Sequence, residues 1–202
     1  IAFRADHLRA YQGERLARRY LKRLEGITDR DLKEAVAEGY HKLLAYKDEY
    51  EVARLLSGTR AKVRAQFGDK AQPTYHLAAP LVAKQGHDGR PGKRAFGDWI
   101  ERVYPMLARG KVLRGTPLDP FGYTAERRME RRLIKQYEAD LDRVLPKIDT
   151  ARDAVIALAR LPLEIRGFGP VKEANATCAE ATRETLLEAI AKGAAPVQHA
   201  AQ

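Results

Sequence analysis

Residues 111–132 read KVLRGTPLDPFGYTAERRMERR, and the rest of the chain is read outward from them. Gly115-Thr116-Pro117 and Asp119-Pro120-Phe121-Gly122 are tight-turn sequences, because Pro presets φ and Gly accepts backbone shapes that other residues resist. Thr124 then stands where a helix N-cap belongs, and Glu126 falls in the first turn, beside the positive end of the helix dipole. Between residues 109 and 135 eight basic residues face three acids, a net of +5. Arg127 and Arg131 lie four apart, as do Arg128 and Arg132, so like charges repel along the helix surface. Those guanidiniums need acids from the fold, from a partner or from solvent, and Arg suits bidentate pairing with carboxylate or phosphate. The stretch is either a structural corner or a docking surface for something acidic.

Downstream, the helix begun at residue 125 runs to 145 and packs Met129, Leu133, Tyr137, Leu141 and Val144, with Pro146 closing it. A second helix covers 151–161 and ends at Pro162. The turn IRGFGPVK (165–172) puts Pro170 at the first position of a last helix, which ends at Gly193. Arg166 and Lys172 around that helix start resemble a small anion site; the plainer reading is a tight interhelical turn with Arg166 in a structural salt bridge.

Upstream, residues 3–24 read as one helix with Leu16, Tyr20 and Leu24 on a single face and arginines on the solvated remainder. Thr28-Asp29-Arg30-Asp31 reads as a capping box opening a helix to residue 56. Val36, Gly39, Leu43, Tyr46, Tyr50 and Ala53 recur there at spacings of three and four, a heptad-like seam. Lys47, Asp48, Glu49 and Glu51 fall off the seam and are expected in solvent, whereas the Tyr46 and Tyr50 hydroxyls are expected to reach polar partners. A short helix is expected over 60–67, then a buried extended connection over 74–83 containing a buried, hydrogen-bonded His76. Residues 84–94 read as an exposed loop, and 96–107 as a helix packing Trp99, Ile100, Val103 and Leu107, with Pro105 kinking or restarting it.

The chain therefore reads as all-α: an irregular multi-helix bundle of about six helices joined by Pro/Gly-rich loops. One domain over 1–193 comprises an N-terminal helical hairpin (1–58), a loop-rich centre (59–123) and C-terminal helices (124–193), followed by a tail, 194–202. Its 202 residues are 45% hydrophobic and 32% charged, a globular composition with room for a core. No apolar run is long enough to span a bilayer, and the start at Ile1 shows no signal-peptide pattern, as expected of a piece of a longer protein. The lone Cys178 makes no internal disulfide and no cluster site, pointing to a reducing cytoplasm. The five histidines are scattered without metal-ligand spacing, so no metal site is expected. Residues 4–23 carry a second net of +5, and the two windows together account for the formal +10 of the chain. Acidic partners follow from that. No P-loop, dinucleotide fingerprint, nucleophile elbow or tuned carboxylate pair is present, so no catalytic residue is expected.

Several stretches taken together resemble the C-terminal region of the indolepyruvate ferredoxin oxidoreductase family, the large or fused 2-oxoacid:ferredoxin oxidoreductases. They are LRAYQ (8–12), KLLAYKDEYEVARLL (42–56), YHLAAPLVA (75–83), GKRAFGDWI (92–100), KVLRGTPLDPFGYTAERRMERRLI (111–134) and LPLEIRGFGPVK (161–172). They follow the family's order. This chain departs where Ala79-Pro80 replaces two prolines and Pro170 replaces a His. The resemblance implies a parent enzyme that converts arylpyruvate, coenzyme A and oxidised ferredoxin to aryl-acetyl-CoA, carbon dioxide and reduced ferredoxin. Thiamine diphosphate and iron–sulfur clusters would sit in its other domains, and this piece would be an accessory helical domain attached to a gamma-type oxidoreductase fold.

Three functions are weighed. An assembly module would dock basic faces, led by Arg127, Arg128, Arg131 and Arg132, on other domains or subunits of the oxidoreductase or on acidic ferredoxin. A ligand module would hold coenzyme A or acyl-CoA phosphates at the Arg114 turn and the Arg166–Lys172 turn. Nucleic-acid binding ranks last, since aromatic residues are not interleaved with the basic ones and no reading helix is present. A membrane partner is not expected.

Overall fold

A computed structural model describes residues 1–77 and 94–193. The all-α reading is correct: α-helices dominate, and a single two-stranded sheet is the only β-structure among the described residues. The expected loop over 84–94, apart from its last residue, and the tail 194–202 lie outside the described residues, as does most of the expected extended connection. The chain groups into two compact units, one of residues 1–46 and 124–202, the other of residues 47–123. The C-terminal helices thus join the N-terminal ones, where the sequence reading ran a hairpin to residue 58 ahead of the loop-rich centre.

In the first unit the expected single helix over 3–24 is two, α1 (Ala2–Gln12) and α2 (Glu14–Leu24), because Gly13 turns the chain with φ 102. That left-handed conformation is inexpensive only for glycine. α3 (Arg30–Leu44) starts one residue later than the capping-box reading placed it: Asp29 is the N-cap, its carboxylate accepting the Leu32 amide at 2.9 Å. The cap belongs to the Asp29 carboxylate, not to Thr28. α3 lies at the centre of the unit, packed on α1, α2 and the unit's C-terminal helices.

After the second unit, whose described residues hold three α-helices, the first resumes with α7 (Ala125–Val144), α8 (Ile148–Arg160) and α9 (Pro170–Lys192). Thr124 caps α7 through the Arg127 amide, Pro170 is in the first turn of α9, and Gly193 ends α9 in the left-handed region, as the sequence indicates. The core gathers Leu8, Tyr20, Val36, Tyr40, Leu141 and Val155. Tyr20, Tyr40 and Tyr137 stack in series with centroids 6.2 and 6.0 Å apart. α3 approaches α8 so closely at Gly39 that a Cβ there would sit 2.2 Å from the Ala159 carbonyl oxygen.

The second unit opens with α4 (Glu49–Leu56), so the expected continuous helix to residue 56 is also two. Asp48 caps α4, accepting the Glu51 amide at 2.9 Å. The seam residues are buried as expected, but Asp48 and Glu51 are 3% and 5% exposed, not solvated. α5 (Thr59–Phe67) matches the expected short helix. β1 (Tyr75–Leu77) pairs antiparallel with β2 (Arg94–Phe96), in register Tyr75 with Phe96. His76 points outward, which corrects its reading as buried. A 3-10 turn over Asp98–Arg102 and α6 (Tyr104–Arg109) replace the expected helix over 96–107, with Pro105 in the first turn of α6. Trp99 lies in that 3-10 turn, meets Phe96 edge-on and is 57% exposed, which corrects its reading as a packed residue on a helix face. The small core holds Ala53, Tyr75 and Tyr104.

Candidate functional site

The organising stretch divides at residue 123 into two parts with different jobs. Its first part is a structural corner within the second unit. Thr116, Asp119 and Gly122 amides donate to the carbonyls of Leu113, Thr116 and Asp119, a run of successive turns. The Asp119 carboxylate ties them together, accepting the Gly115 and Phe121 amides at 3.1 Å each and the Tyr50 hydroxyl at 3.0 Å. Tyr50 therefore finds the polar partner expected of it. Burial raises the Tyr50 phenol above its ordinary range, and its hydrogen bond to Asp119 adds to the shift. Arg114 forms a bidentate pair with Asp48 at 2.5 and 2.8 Å. Both are almost fully buried. Arg114 is therefore corrected from an anion-receiving residue to an internal cation, because a charge this buried must stay with its counter-ion.

The second part is α7, whose charge runs against its dipole. A helix favours acids in its first turns and bases in its last. α7 instead carries Arg127, Arg128, Arg131 and Arg132 against Glu126 and Glu130 in its first half, a net of +2, and Glu138, Asp140 and Asp142 against Lys135 and Arg143 in its second, a net of −1. The second half is used inside the fold. Glu138 accepts two hydrogen bonds from Arg19, at 2.9 and 2.8 Å, and one from the Tyr40 hydroxyl. Asp142 pairs with Arg23, and Asp140 holds Arg183 through two 2.6 Å bonds. Burial alone would raise the Glu138 carboxyl, but its bonds to Arg19 and Tyr40 outweigh that and leave it below the usual carboxylate range. The basic window over 4–23, expected to be solvated, is thus partly neutralised by α7 across 119 residues of sequence.

In the first half of α7, Arg127 is buried, its guanidinium 5.2 Å from the Tyr46 ring centroid and 3.7 Å from Glu130. It is corrected from docking residue to structural one. Lys172 is bound to that same Glu130. Arg166 stays exposed but donates to its own turn, at the Leu163 carbonyl (2.9 Å), and not to the acid expected. The two cations of the 165–172 turn therefore do not converge on a common point. Arg128, Arg132 and Lys135 are exposed and Arg131 is half-buried.

These four side chains form one wall of an open groove between α7 and α9, floored by Met129, Leu133 and Ala176. The facing wall of α9 supplies Glu173, Thr177 and Glu180. Gln136 crosses the floor to Glu180 at 2.8 Å. The acidic wall was missed from sequence, although Glu173, Glu180, Glu184 and Glu188 fall at helical spacings along one face. Cys178 is exposed on the same helix. Among the described residues, no group of three or more His, Cys, Asp or Glu could hold a metal ion, and no helix is long and apolar enough to cross a membrane.

Fold and site together define an all-α domain with an internally cross-paired charge network and a groove that is basic on one wall and acidic on the other. The chain belongs to DUF6537, a family of unknown function, which covers residues 1–185. No curated protein and no solved structure matches it.

Proposed function

We propose that this chain is an assembly domain of an indolepyruvate-type 2-oxoacid:ferredoxin oxidoreductase, non-catalytic by itself, that docks through the basic half of α7 on an acidic surface. The acidic surface belongs to a neighbouring subunit or to ferredoxin. Thiamine diphosphate, iron–sulfur clusters and coenzyme A are used elsewhere in the parent enzyme. The sequence resemblance supplies the enzyme class.

The observation that carries the docking role is the reversed charge order of α7. Arg127 and Arg128 in the first turn oppose the dipole and repel Arg131 and Arg132 one turn on, offset only in part by Glu126 and Glu130, each effect of order a few tenths to 1 kcal/mol. Folding does not require Arg132 or Lys135, since the helix is anchored by its acidic half and by Thr124. A surface that is unfavourable for the isolated helix and not needed by the core is the mark of a binding face.

The test is assembly of the parent enzyme and its ferredoxin reduction as a function of salt, with Arg132 and Lys135 reversed to Glu. Weakened, less salt-sensitive association with an unchanged fold is expected. Unaltered assembly and unaltered ferredoxin reduction overturn the reading.

A further inference from the structure

We infer that the acidic surface met by α7 is the α9 wall of a second copy of this chain, so that the α7–α9 face is a two-fold, self-complementary interface. This rests on the docking reading above and names its partner. The two walls of the groove carry opposite charge and belong to adjacent helices of one unit. A face with a positive strip beside a negative strip complements itself when turned over, which is the signature of an isologous contact.

The direction of the helices selects the axis. Glu130 is bound to Lys172, Gln136 to Glu180 and Asp140 to Arg183, so α7 and α9 run parallel. A two-fold axis along the seam lays the Arg128–Arg132–Lys135 strip of each copy over the Glu173–Glu180 strip of the other. The alternative in-plane axis, across the seam, stacks α7 on α7 and opposes like charges. Only the first axis gains Coulomb energy.

The α9 surface suits close approach. Beside its acids it exposes Ala174, Thr177, Cys178, Ala181 and Thr185, all small. Arg132, Lys135 and Glu173 form no ion pair among the described residues, so two copies would join them without breaking an internal bond, whereas Glu180 also holds Gln136 and Arg183. Two helices roughly 30 Å long and about 10 Å apart present a face of about 600 Å². That buries roughly 1,200 Å² in the pair, the lower edge of a stable interface. The floor is narrow and the walls are charged, so the association is weak and salt-sensitive, with a dissociation constant of micromolar order.

The experiment is sedimentation of the full chain at low and high salt, for the wild type, Arg132→Glu, Glu173→Lys and the double variant, with helix content checked for each. The expected result is a dimer at low salt that dissociates with added salt. Each single reversal should weaken it roughly tenfold or more, and the double variant should recover it because the charges are exchanged and not lost. Met129→Cys with Cys178→Ser should also form a disulfide to itself under oxidation, since Met129 lies beside the axis. A monomeric wild type, or singles that dimerise as well as wild type, overturns the inference. If the wild type is monomeric but the α7 reversals still weaken binding to the parent enzyme, the second-copy partner falls and the docking reading stands.

Discussion

Replacing Gly39 with Ala offers a sharp test of how the first unit is held together. In an exposed helix interior the change stabilises by about 1 kcal/mol, because Ala loses less backbone entropy. Here the new Cβ would stand 2.2 Å from the Ala159 carbonyl oxygen, 2.9 Å from the Tyr137 hydroxyl and 3.4 Å from Pro162 Cδ. The nearest of these is backbone and cannot swing aside, so α3 must retreat from α8 by about 1 Å. Overpacking of this kind costs about 1–3 kcal/mol. The Tyr137 hydroxyl also donates to that carbonyl at 2.8 Å. Straining a buried bond of this sort adds about 1–3 kcal/mol. The net expectation is a loss of about 3 kcal/mol, or roughly 6–12 °C in the midpoint of the transition reporting this unit. Urea unfolding followed by far-UV circular dichroism measures it. Adding Tyr137→Phe should make the second cost smaller, so the two changes should be non-additive. A Gly39→Ala chain as stable as wild type, or more so, would refute the close approach of α3 to α8.

Other expectations concern pH, the corner and a cap. Burial lowers His41 to about 4 from 6.5, with His7, at 3.0 Å, and Arg4 adding to the shift. The unfolded chain therefore binds the extra proton first. The contribution is complete above about pH 6.5 and is lost as pH falls toward 4, amounting to about 2 kcal/mol after discounting for the ring's partial exposure. His41→Gln should flatten the stability–pH profile across that window; an unchanged profile counts against the assignment. Arg114→Met should cost about 3–5 kcal/mol by leaving the Asp48 carboxylate buried without its counter-ion. Pairing it with Asp48→Leu should recover most of that beyond the lost α4 cap, as read by thermal unfolding; no recovery would deny that the buried charge is the cause. Asp29→Ala should cost about 1 kcal/mol through loss of the α3 cap, with the exposed Arg152 pair adding little. A chain losing nothing in urea would return the cap to Thr28.

Much of the fold was legible because it depends on local chemistry. The Thr124 cap, the turns at 115–122, Pro170 in the first turn of α9 and the Gly193 stop each involve groups a few residues apart. Two helix breaks were misread although their signals were present. Gly13 interrupts the first helix, and Asp48 with Glu51 three residues on is itself a capping pattern, but the apolar seam through Tyr46 and Tyr50 concealed it. The seam positions are all buried, so the periodicity was right about which side faces inward and wrong about continuity. His76 was misplaced because a three-residue strand is too short for its alternation to be read ahead of its partner, and Trp99 because a 3-10 turn stands where apolar spacing suggested a helix face.

The fate of each charge was of another kind. Composition and spacing established an all-helical chain with surplus arginine concentrated in two windows, since those follow from residue types and their neighbours along the chain. Which arginines are committed internally depended on residues up to 123 positions apart meeting, as Arg152 meets Asp29, Arg19 meets Glu138 and Arg23 meets Asp142. Arg114 and Arg127 became interior residues in the same way, while Arg132 and Lys135 remained on the surface. A sequence counts charges, but a counter-ion is a neighbour in space, and the dielectric around it is set by what folding buries.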